Sequence, residues 1–184
     1  MNTTVYLIRH SIRFNNNYIE EYNTLQNKTI KNEKTVLSVE GEKRAEILSN
    51  EEELQNLDVI YASNCVRTLQ TAKYIIEKQN LKVNIDDRFD ERKVGKPNDD
   101  VIKDWFVRQY MDENYKTEGG ESQKEVRARF SEAFEEAIDK NKVIYNKKIN
   151  APEVFKLEFD ENNQLIDIQN TEFNDLPYKD GMGK

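Results

Sequence analysis

The sequence predicts an α/β protein whose strands form a mixed sheet. Apolar, strand-like runs alternate with helix-like periodic segments through the first two thirds of the chain, which is typical of strands joined by helices. The last part instead contains two strand-like runs separated by a polar turn, the pattern of a hairpin. The chain has 184 residues and shows neither a repeat nor a linker-like stretch, so we expect a single domain over residues 1–184.

Each element has its own signal. The first strand is predicted at residues 5–8, a continuous apolar run that fits the centre of a sheet. Ser38 is a suitable N-cap for a helix that continues through Leu48, with Glu40 and Glu42 near its positive end. Further strands are predicted at residues 57–62 and 81–85. Helices are predicted at residues 66–78, 101–111 and 121–140, and the hairpin at residues 154–159 and 165–169 with a turn at 160–163.

Two segments are predicted to lie outside this framework as insertion or lid segments. Residues 14–35 are polar and rich in asparagine, which indicates a long loop or a partly helical insertion. Residues 98–116 include Trp105 and Phe106, whose aromatic rings could line a lid over a substrate. We expect both rings to pack in the core against the sheet instead, because large aromatic side chains supply much of a core's buried area.

Composition excludes several classes of function. The net charge of −7 argues against a general surface for nucleic acid or acidic membranes, so an anionic substrate needs a local basic pocket. Cys65 is the only cysteine, which excludes an internal disulfide framework. The chain has no stretch long and apolar enough to span a membrane, and its first residues lead directly into a strand. We therefore expect a cytoplasmic protein.

His10 is the only histidine, and it follows Arg9 where the first strand ends. Open α/β sheets place their chemistry at the carboxyl ends of strands. A lone histidine cannot belong to a site that needs several histidines, but a neutral imidazole can attack phosphorus if an arginine holds the phosphate. The position alone fits a surface or core histidine equally well.

Three arginines and one glutamate are predicted to lie near His10, because each follows the end of a predicted strand. Arg9 flanks the histidine, Arg13 lies in the loop that leaves the first strand, and Arg67 lies near the start of the helix after the second strand. Parallel strands end at the same edge of a sheet, so Arg9 and Arg67 can converge on one phosphate. Glu91 can protonate a leaving oxygen from the rim. Each residue alone also fits a solvated charge or a surface ion pair; the set together favours phosphate chemistry.

Five ordered motifs make the chain resemble the histidine phosphatase superfamily, also called phosphoglycerate mutase-like. The likeness runs from residue 4 to residue 140 and resumes weakly at residues 150–170. The motifs are Leu7-Ile8-Arg9-His10-Ser11, with serine in place of the family's glycine; Leu37-Ser38-Val39-Glu40-Gly41-Glu42-Lys43-Arg44-Ala45; the Ser-x-x-x-Arg-Thr-x-x-Thr-Ala segment from Ser63 to Ala72; the segment from Glu91 to Gly95; and Gly119-Gly120-Glu121-Ser122.

The resemblance implies a fold, an activity and a role for each residue. The fold is a three-layer sandwich, a mixed and mostly parallel sheet with helices on both faces. His10 would form a phosphohistidine, Arg9 and Arg67 would hold the phosphoryl oxygens with help from Arg13, and Glu91 would act as the acid and then as the base for water. The implied activity is a metal-independent phosphatase without a cofactor, whose partner is a small phosphorylated substrate or inorganic phosphate. The alternative is a phosphoglycerate mutase-type phosphomutase.

The chain departs from the family at one essential place. The family has a second histidine at the end of a strand after the long helix, but residues 143–148 contain none, and residues 141–152 leave no room for the family's next helix. One explanation, which we favour, is that a strand and a helix are missing from the sequence, with Val143 and Ile144 as the stump of a central strand. Loss of a central strand should cost more than the ~5–15 kcal/mol that stabilises a domain. The other is a pseudoenzyme that binds phosphate without catalysis.

Overall fold

The computed structural model describes residues 3–14, 32–95, 99–140 and 154–171. Every predicted strand and helix within these ranges is confirmed, with ends that move by no more than three residues. The strands are β1 (Thr3–Ile8), β2 (Ile60–Ala62), β3 (Val83–Ile85), β4 (Val154–Phe159) and β5 (Leu165–Thr171). The helices are α1 (Val39–Leu48), α2 (Val66–Gln79), α3 (Asp99–Met111) and α4 (Gln123–Lys140), and short 3-10 turns lie at Glu52–Leu54 and Asp87–Phe89.

The strands pair in two groups. β1 pairs antiparallel with β4, with Ile8 opposite Val154, and β4 pairs antiparallel with β5, whereas β2 pairs parallel with β3. The α/β class and the mixed pairing are confirmed. The expected dominance of parallel pairs is not found among the described strands, because the final hairpin returns directly onto β1 and occupies one of its edges.

Helices cover both faces of β1, which confirms the three layers. Val5 and Leu7 point to one face, where they pack with Ala137 and Ile138 of α4. Tyr6 points to the opposite face, as alternation along a strand requires, and packs there with Leu48 of α1 and Ile75 of α2. Ser38 caps α1 as predicted, because its side chain accepts a hydrogen bond from the Gly41 N–H at 3.0 Å.

An apolar cavity of about 70 Å³ lies between β1 and β2. Ile8 lines it from β1 and Ile60 from β2, while Ile75 of α2 and Phe130 of α4 close its two faces. His10 also lines this cavity. The single sheet expected from the sequence is therefore divided at this point within the described part of the chain.

The predictions for the two insertion or lid segments, residues 14–35 and 98–116, are tested only in part by the described residues. Trp105 is buried as expected, but the prediction that Phe106 is buried is wrong, since Phe106 is 66% exposed. Among the side chains of α3 that the structure describes, those of residues 104–111, Trp105 and Gln109 are buried one turn apart, and Phe106 lies around the helix from them. Most of the insertion (residues 15–31) and the pair Val143 and Ile144 lie outside the described residues.

The segment at residues 160–163 forms the hairpin turn that was predicted, because the Asp160 carboxylate accepts hydrogen bonds from the N–H groups of Asn162 and Gln164, each at 2.9 Å. In the ranges that the structure describes, no helix has both the length and the apolar character to cross a bilayer.

Candidate active site

His10 presents one ring nitrogen as a nucleophile. Its Nδ1 lies 2.7 Å from the carbonyl oxygen of Ser11, and because a carbonyl only accepts, Nδ1 must carry the proton. Nε2 therefore keeps its lone pair. Burial is the largest cause that lowers the pKa of His10 to about 4, and the charges of Arg67 and Arg9 lower it further, against the opposing effect of the Ser11 hydrogen bond and Glu91. The imidazole is thus neutral at neutral pH.

Two consecutive buried hydrogen bonds, both made by the Thr71 hydroxyl, connect the turn that carries His10 to Arg67 in helix α2. The Ser11 N–H donates to the Thr71 hydroxyl oxygen at 2.9 Å, and that hydroxyl donates to the Arg67 carbonyl at 2.8 Å. Thr71 therefore links the histidine turn to the turn of α2 that carries Arg67. Thr71 and Ser11 were not predicted as site residues, although both lie within the motifs quoted above.

The loop after β1 is also fixed from the other side, by α1. The Ser38 N–H donates to the Ile12 carbonyl at 2.9 Å, and a Cβ on Gly41 would collide with that same carbonyl oxygen. The glycine of this motif thus allows α1 to approach the loop closely. His10 consequently sits on a segment held by two helices.

Arg67 and Glu91 meet in the structure. Arg67 is only 3% exposed, and its Nη2 donates to Glu91 Oε2 at 2.8 Å, while Nη1 donates to the carbonyl of Asn32. Its buried Nε has no hydrogen-bond partner among the described residues. The Glu91 side chain is 58% exposed, so the ion pair reaches from the interior to solvent. Asn32 acts through its backbone, and for that reason no side-chain pattern could reveal it.

The structure places the two remaining arginines differently. Arg9 is half-buried and close enough to His10 for its charge to lower the pKa of the imidazole. Arg13 is exposed, and its backbone forms an isolated antiparallel bridge with Leu37. Arg9, His10, Arg67 and Glu91 thus share one region, with Arg13 at its edge. Their chemical roles stay predictions.

A polar cavity of about 190 Å³ opens on the Glu91 side of this region. Glu33, Arg92 and Lys93 also line it. The Arg92 guanidinium lies 4.4 Å from the centre of the Trp105 ring, and burial lowers the pKa of Arg92. The polar cavity therefore presents charges of both signs beside the Glu91 carboxylate.

Close backbone packing holds the loop that carries Glu91. Gly95 has φ +76°, and a Cβ there would collide with the Gly120 nitrogen and the Glu118 carbonyl. The Thr117 hydroxyl donates to the Val94 carbonyl. This contact explains why glycines occur at the end of one motif and at the start of the next. In the described ranges, no group of three or more His, Cys, Asp or Glu side chains is arranged to hold a metal ion.

Comparison with known proteins agrees with these motifs. The sequence model of a family described as the histidine phosphatase superfamily (branch 1) matches residues 5–144. Phosphoserine phosphatase 1 of Hydrogenobacter thermophilus is 35% identical over an alignment of 108 residues, and the match covers 54% of this chain and 51% of that protein. The chain thus spans about half the length of the curated relative it matches.

Solved structures share the fold at low identity. The native structure of a mycobacterial glucosyl-3-phosphoglycerate phosphatase is 16% identical, with a TM-score of 0.66 over 95% of this chain and 99% of that one. Bacillus stearothermophilus YhfR is 19% identical, with a TM-score of 0.66 over 89% of this chain and 94% of that one. The α-ribazole phosphatase of Shigella flexneri is 14% identical, with a TM-score of 0.66 over 91% and 96%.

Proposed function

The chain belongs to the histidine phosphatase superfamily (branch 1), and we propose that it hydrolyses small phosphate monoesters through a phosphohistidine formed on His10. The observation that carries the proposal is the pairing of His10 Nδ1 with the Ser11 carbonyl at 2.7 Å, which leaves Nε2 free to attack. The low pKa of His10, about 4, keeps that nitrogen unprotonated. Attack forms an N–P bond and breaks the bond between phosphorus and the alcohol oxygen.

Arg67 exchanges one anion for another when the substrate binds. In the structure its Nη2 holds the Glu91 carboxylate, and its buried Nε has no hydrogen-bond partner among the described residues. A phosphoryl group carries more negative charge than a carboxylate and matches the guanidinium fork, so it displaces Glu91. Arg9 contributes a second positive charge, and Arg13 assists from the edge of the site.

The displaced Glu91 becomes the proton donor. Released from Arg67, its carboxyl group in the protonated form delivers a proton to the leaving alcohol oxygen. The resulting carboxylate then accepts a proton from water, whose oxygen attacks the phosphohistidine. Inorganic phosphate leaves, and His10 returns to its neutral form.

The leaving alcohol must reach Glu91, which indicates what kind of alcohol it is. Glu91 lines the charged cavity of about 190 Å³ and does not line the apolar cavity between β1 and β2. We therefore propose a small, polar alcohol that enters the charged cavity. The name of the Hydrogenobacter relative makes phosphoserine the first substrate to test.

A second candidate function is phosphate binding without turnover. It is favoured by one observation, namely that His10 is the only histidine of the chain. A missing donor to the transition state costs on the order of 10²–10³ in rate. Arg67 and Arg9 would still bind the anion in such a protein.

The test compares the wild type with His10→Ala. We expect the wild type to release inorganic phosphate from phosphoserine and from p-nitrophenyl phosphate, and the variant to release none. A trapped phosphoenzyme that is stable to base and labile to acid would support the intermediate. Equal hydrolysis by both proteins would refute catalysis through His10. If neither protein hydrolyses the esters and both bind inorganic phosphate equally well, the second candidate, phosphate binding without turnover, would be established.

A further inference from the structure

We propose that Arg129 and Glu121 are positioning residues for Glu91, and this inference rests on the proposed role of Glu91 as proton donor. The Glu91 carboxylate is 58% exposed, and Arg67 is its hydrogen-bond partner within the described residues. When the substrate takes over Arg67, the side chain of Glu91 loses that support. The position of its backbone must then determine whether the carboxyl group reaches the leaving oxygen.

Arg129 holds the loop on the N-terminal side of Glu91. Its guanidinium projects from α4 and donates to two backbone carbonyls of the loop, from Nη1 to Arg88 at 2.5 Å and from Nη2 to Asp90 at 3.0 Å. The fork thus binds the backbone at Asp90, immediately before the proposed donor, and at Arg88, two residues earlier. A single planar group that bonds both carbonyls limits the rotation of the loop at this point.

Glu121 holds the loop on the C-terminal side. Its own N–H donates to the Lys93 carbonyl at 2.9 Å, and its Oε2 accepts from the Lys93 N–H at 2.9 Å. Both hydrogen-bonding groups of the Lys93 backbone are therefore bound by one residue. Gly119 and Gly120 precede Glu121, and the close approach of Gly120 to Gly95 brings its backbone near the loop.

The two holding groups form one unit. Glu121 Oε1 accepts from Arg129 Nε at 2.8 Å and Oε2 accepts from Arg129 Nη2 at 2.9 Å, a bidentate pair in which both side chains are 18% exposed. Burial raises the pKa of Glu121, but the hydrogen bonds from Arg129 and the Lys93 N–H outweigh it, so that the pKa lies below its usual value. The pair stays ionised, and it brackets Glu91 from both sides.

A rigid helix anchors this unit. Arg129 lies in the first half of α4, and the ring of the next residue, Phe130, packs edge-to-face on Phe89 of the same loop, with ring centres 5.7 Å apart. General acid catalysis depends on a donor within hydrogen-bond reach of the leaving oxygen, and a displacement near 1 Å can cost on the order of 10²-fold. The bracket therefore serves proton transfer in addition to stability.

The experiment uses the leaving alcohol as a probe of proton transfer. Arg129→Lys keeps the charge without the fork, and Glu121→Gln keeps the shape without the charge. kcat/KM is measured for two substrates. The serine oxygen of phosphoserine needs a proton in order to leave, whereas 2,4-dinitrophenyl phosphate releases a stable phenolate that needs little protonation. We expect a loss of roughly tenfold or more on phosphoserine and less than about threefold on the dinitrophenyl ester, with an unchanged inhibition constant for inorganic phosphate.

A matched control lies on the same helix. Arg127 pairs with Glu113 at 3.0 Å, with its side chain 66% exposed, and neither residue bonds to the loop of Glu91. We expect Arg127→Lys to leave both substrates unchanged. In a Glu91→Gln background, Arg129→Lys should cause no further loss on phosphoserine, since the group it positions is already gone.

The outcomes separate this inference from the proposed function. Equal losses on both substrates, or a further loss in the Glu91→Gln background, would show that the pair only stabilises the fold. If the wild type fails to hydrolyse either ester, or if His10→Ala hydrolyses both as well as the wild type, the proposed function itself fails and the positioning role falls with it. A variant of Arg129 that does not fold is replaced by Glu121→Gln, to which the same comparison applies.

Discussion

The state of His10 gives the most direct test of the site, because a single group can be titrated. Burial and the charges of Arg67 and Arg9 lower the pKa of its imidazole from 6.5 to about 4. The folded protein therefore binds the proton less readily than the unfolded chain. Between pH 6.5 and about 4 the unfolded state is protonated at this position while the folded state is not.

The sign and size of the effect follow from this difference. Stability contributed through His10 is full above pH 6.5 and is lost as the pH falls towards about 4, below which both states carry the proton. A shift of this size corresponds to on the order of 3 kcal/mol of unfolding free energy. His10→Gln keeps a polar side chain that does not titrate, so the variant should lack this part of the pH dependence.

Two measurements check the prediction. Since His10 is the only histidine, its ring gives one set of imidazole resonances, and their chemical shifts against pH report its pKa without assignment by mutation. Urea unfolding of the wild type and of His10→Gln at pH 7, 5.5 and 4 gives the difference in free energy. Buffers must be free of phosphate, because an anion on Arg67 would offset the arginine charges and raise the pKa.

A His10 pKa near that of a free imidazole would contradict the prediction. If the resonances titrate with a midpoint near 6.5, the imidazole is not shielded from water and its neighbours do not act on it as the structure indicates. The wild type and His10→Gln would then lose stability in parallel as the pH falls. A large fraction of His10 would then carry a proton on Nε2 near neutral pH, and that nitrogen would be less available for attack.

Three further predictions follow from the contacts of the site. Glu91→Gln should bind inorganic phosphate up to about fivefold more tightly by calorimetry, because the ion pair with Arg67, which is exposed at its Glu91 end and contributes about 0.2–1 kcal/mol, no longer competes with the anion; weaker binding would contradict the exchange of anions. Gly95→Ala should destabilise the fold by about 1–3 kcal/mol in urea, because φ is +76° and the added Cβ meets backbone; an unchanged midpoint would contradict the close packing. Thr71→Val should cost about 1–3 kcal/mol, because it leaves the buried Ser11 N–H unpaired, and amide exchange at Ser11 should accelerate; unchanged exchange would count against the link.

Most of the local structure could be predicted from the sequence, because local signals determine it. The cap at Ser38 and the apolar periodicity of α2 and α4 act over a few residues, and these helices begin and end close to the predicted positions. Phe106 shows the limit of such signals. It is as apolar as its neighbour Trp105, and only the direction in which α3 faces the rest of the molecule decides that one ring is buried and the other exposed.

The site divides in the same way. The residue types that carry the chemistry, His10 at a strand end with Arg67 and Glu91 further along, were visible as motifs with set spacings. The contacts that position these residues could not be predicted. Thr71 binds the histidine turn across 60 residues of chain, and Arg129 binds the loop of Glu91 across about 40. No local pattern reports such distant partners.

The class of fold, the order of the elements and the group of residues able to bind a phosphate could all be predicted from the amino-acid sequence. The pairing of β4 with β1, the ion pair of Arg67 with Glu91, and the Arg129–Glu121 pair that brackets the loop of Glu91 became visible only in the folded molecule. The two sets of features differ because the interactions that produce them act over different distances along the chain. Capping, periodicity and turn chemistry act between neighbours in the chain, whereas strand pairing and buried ion pairs depend on which distant segments the packed core brings within 3 Å or so of each other.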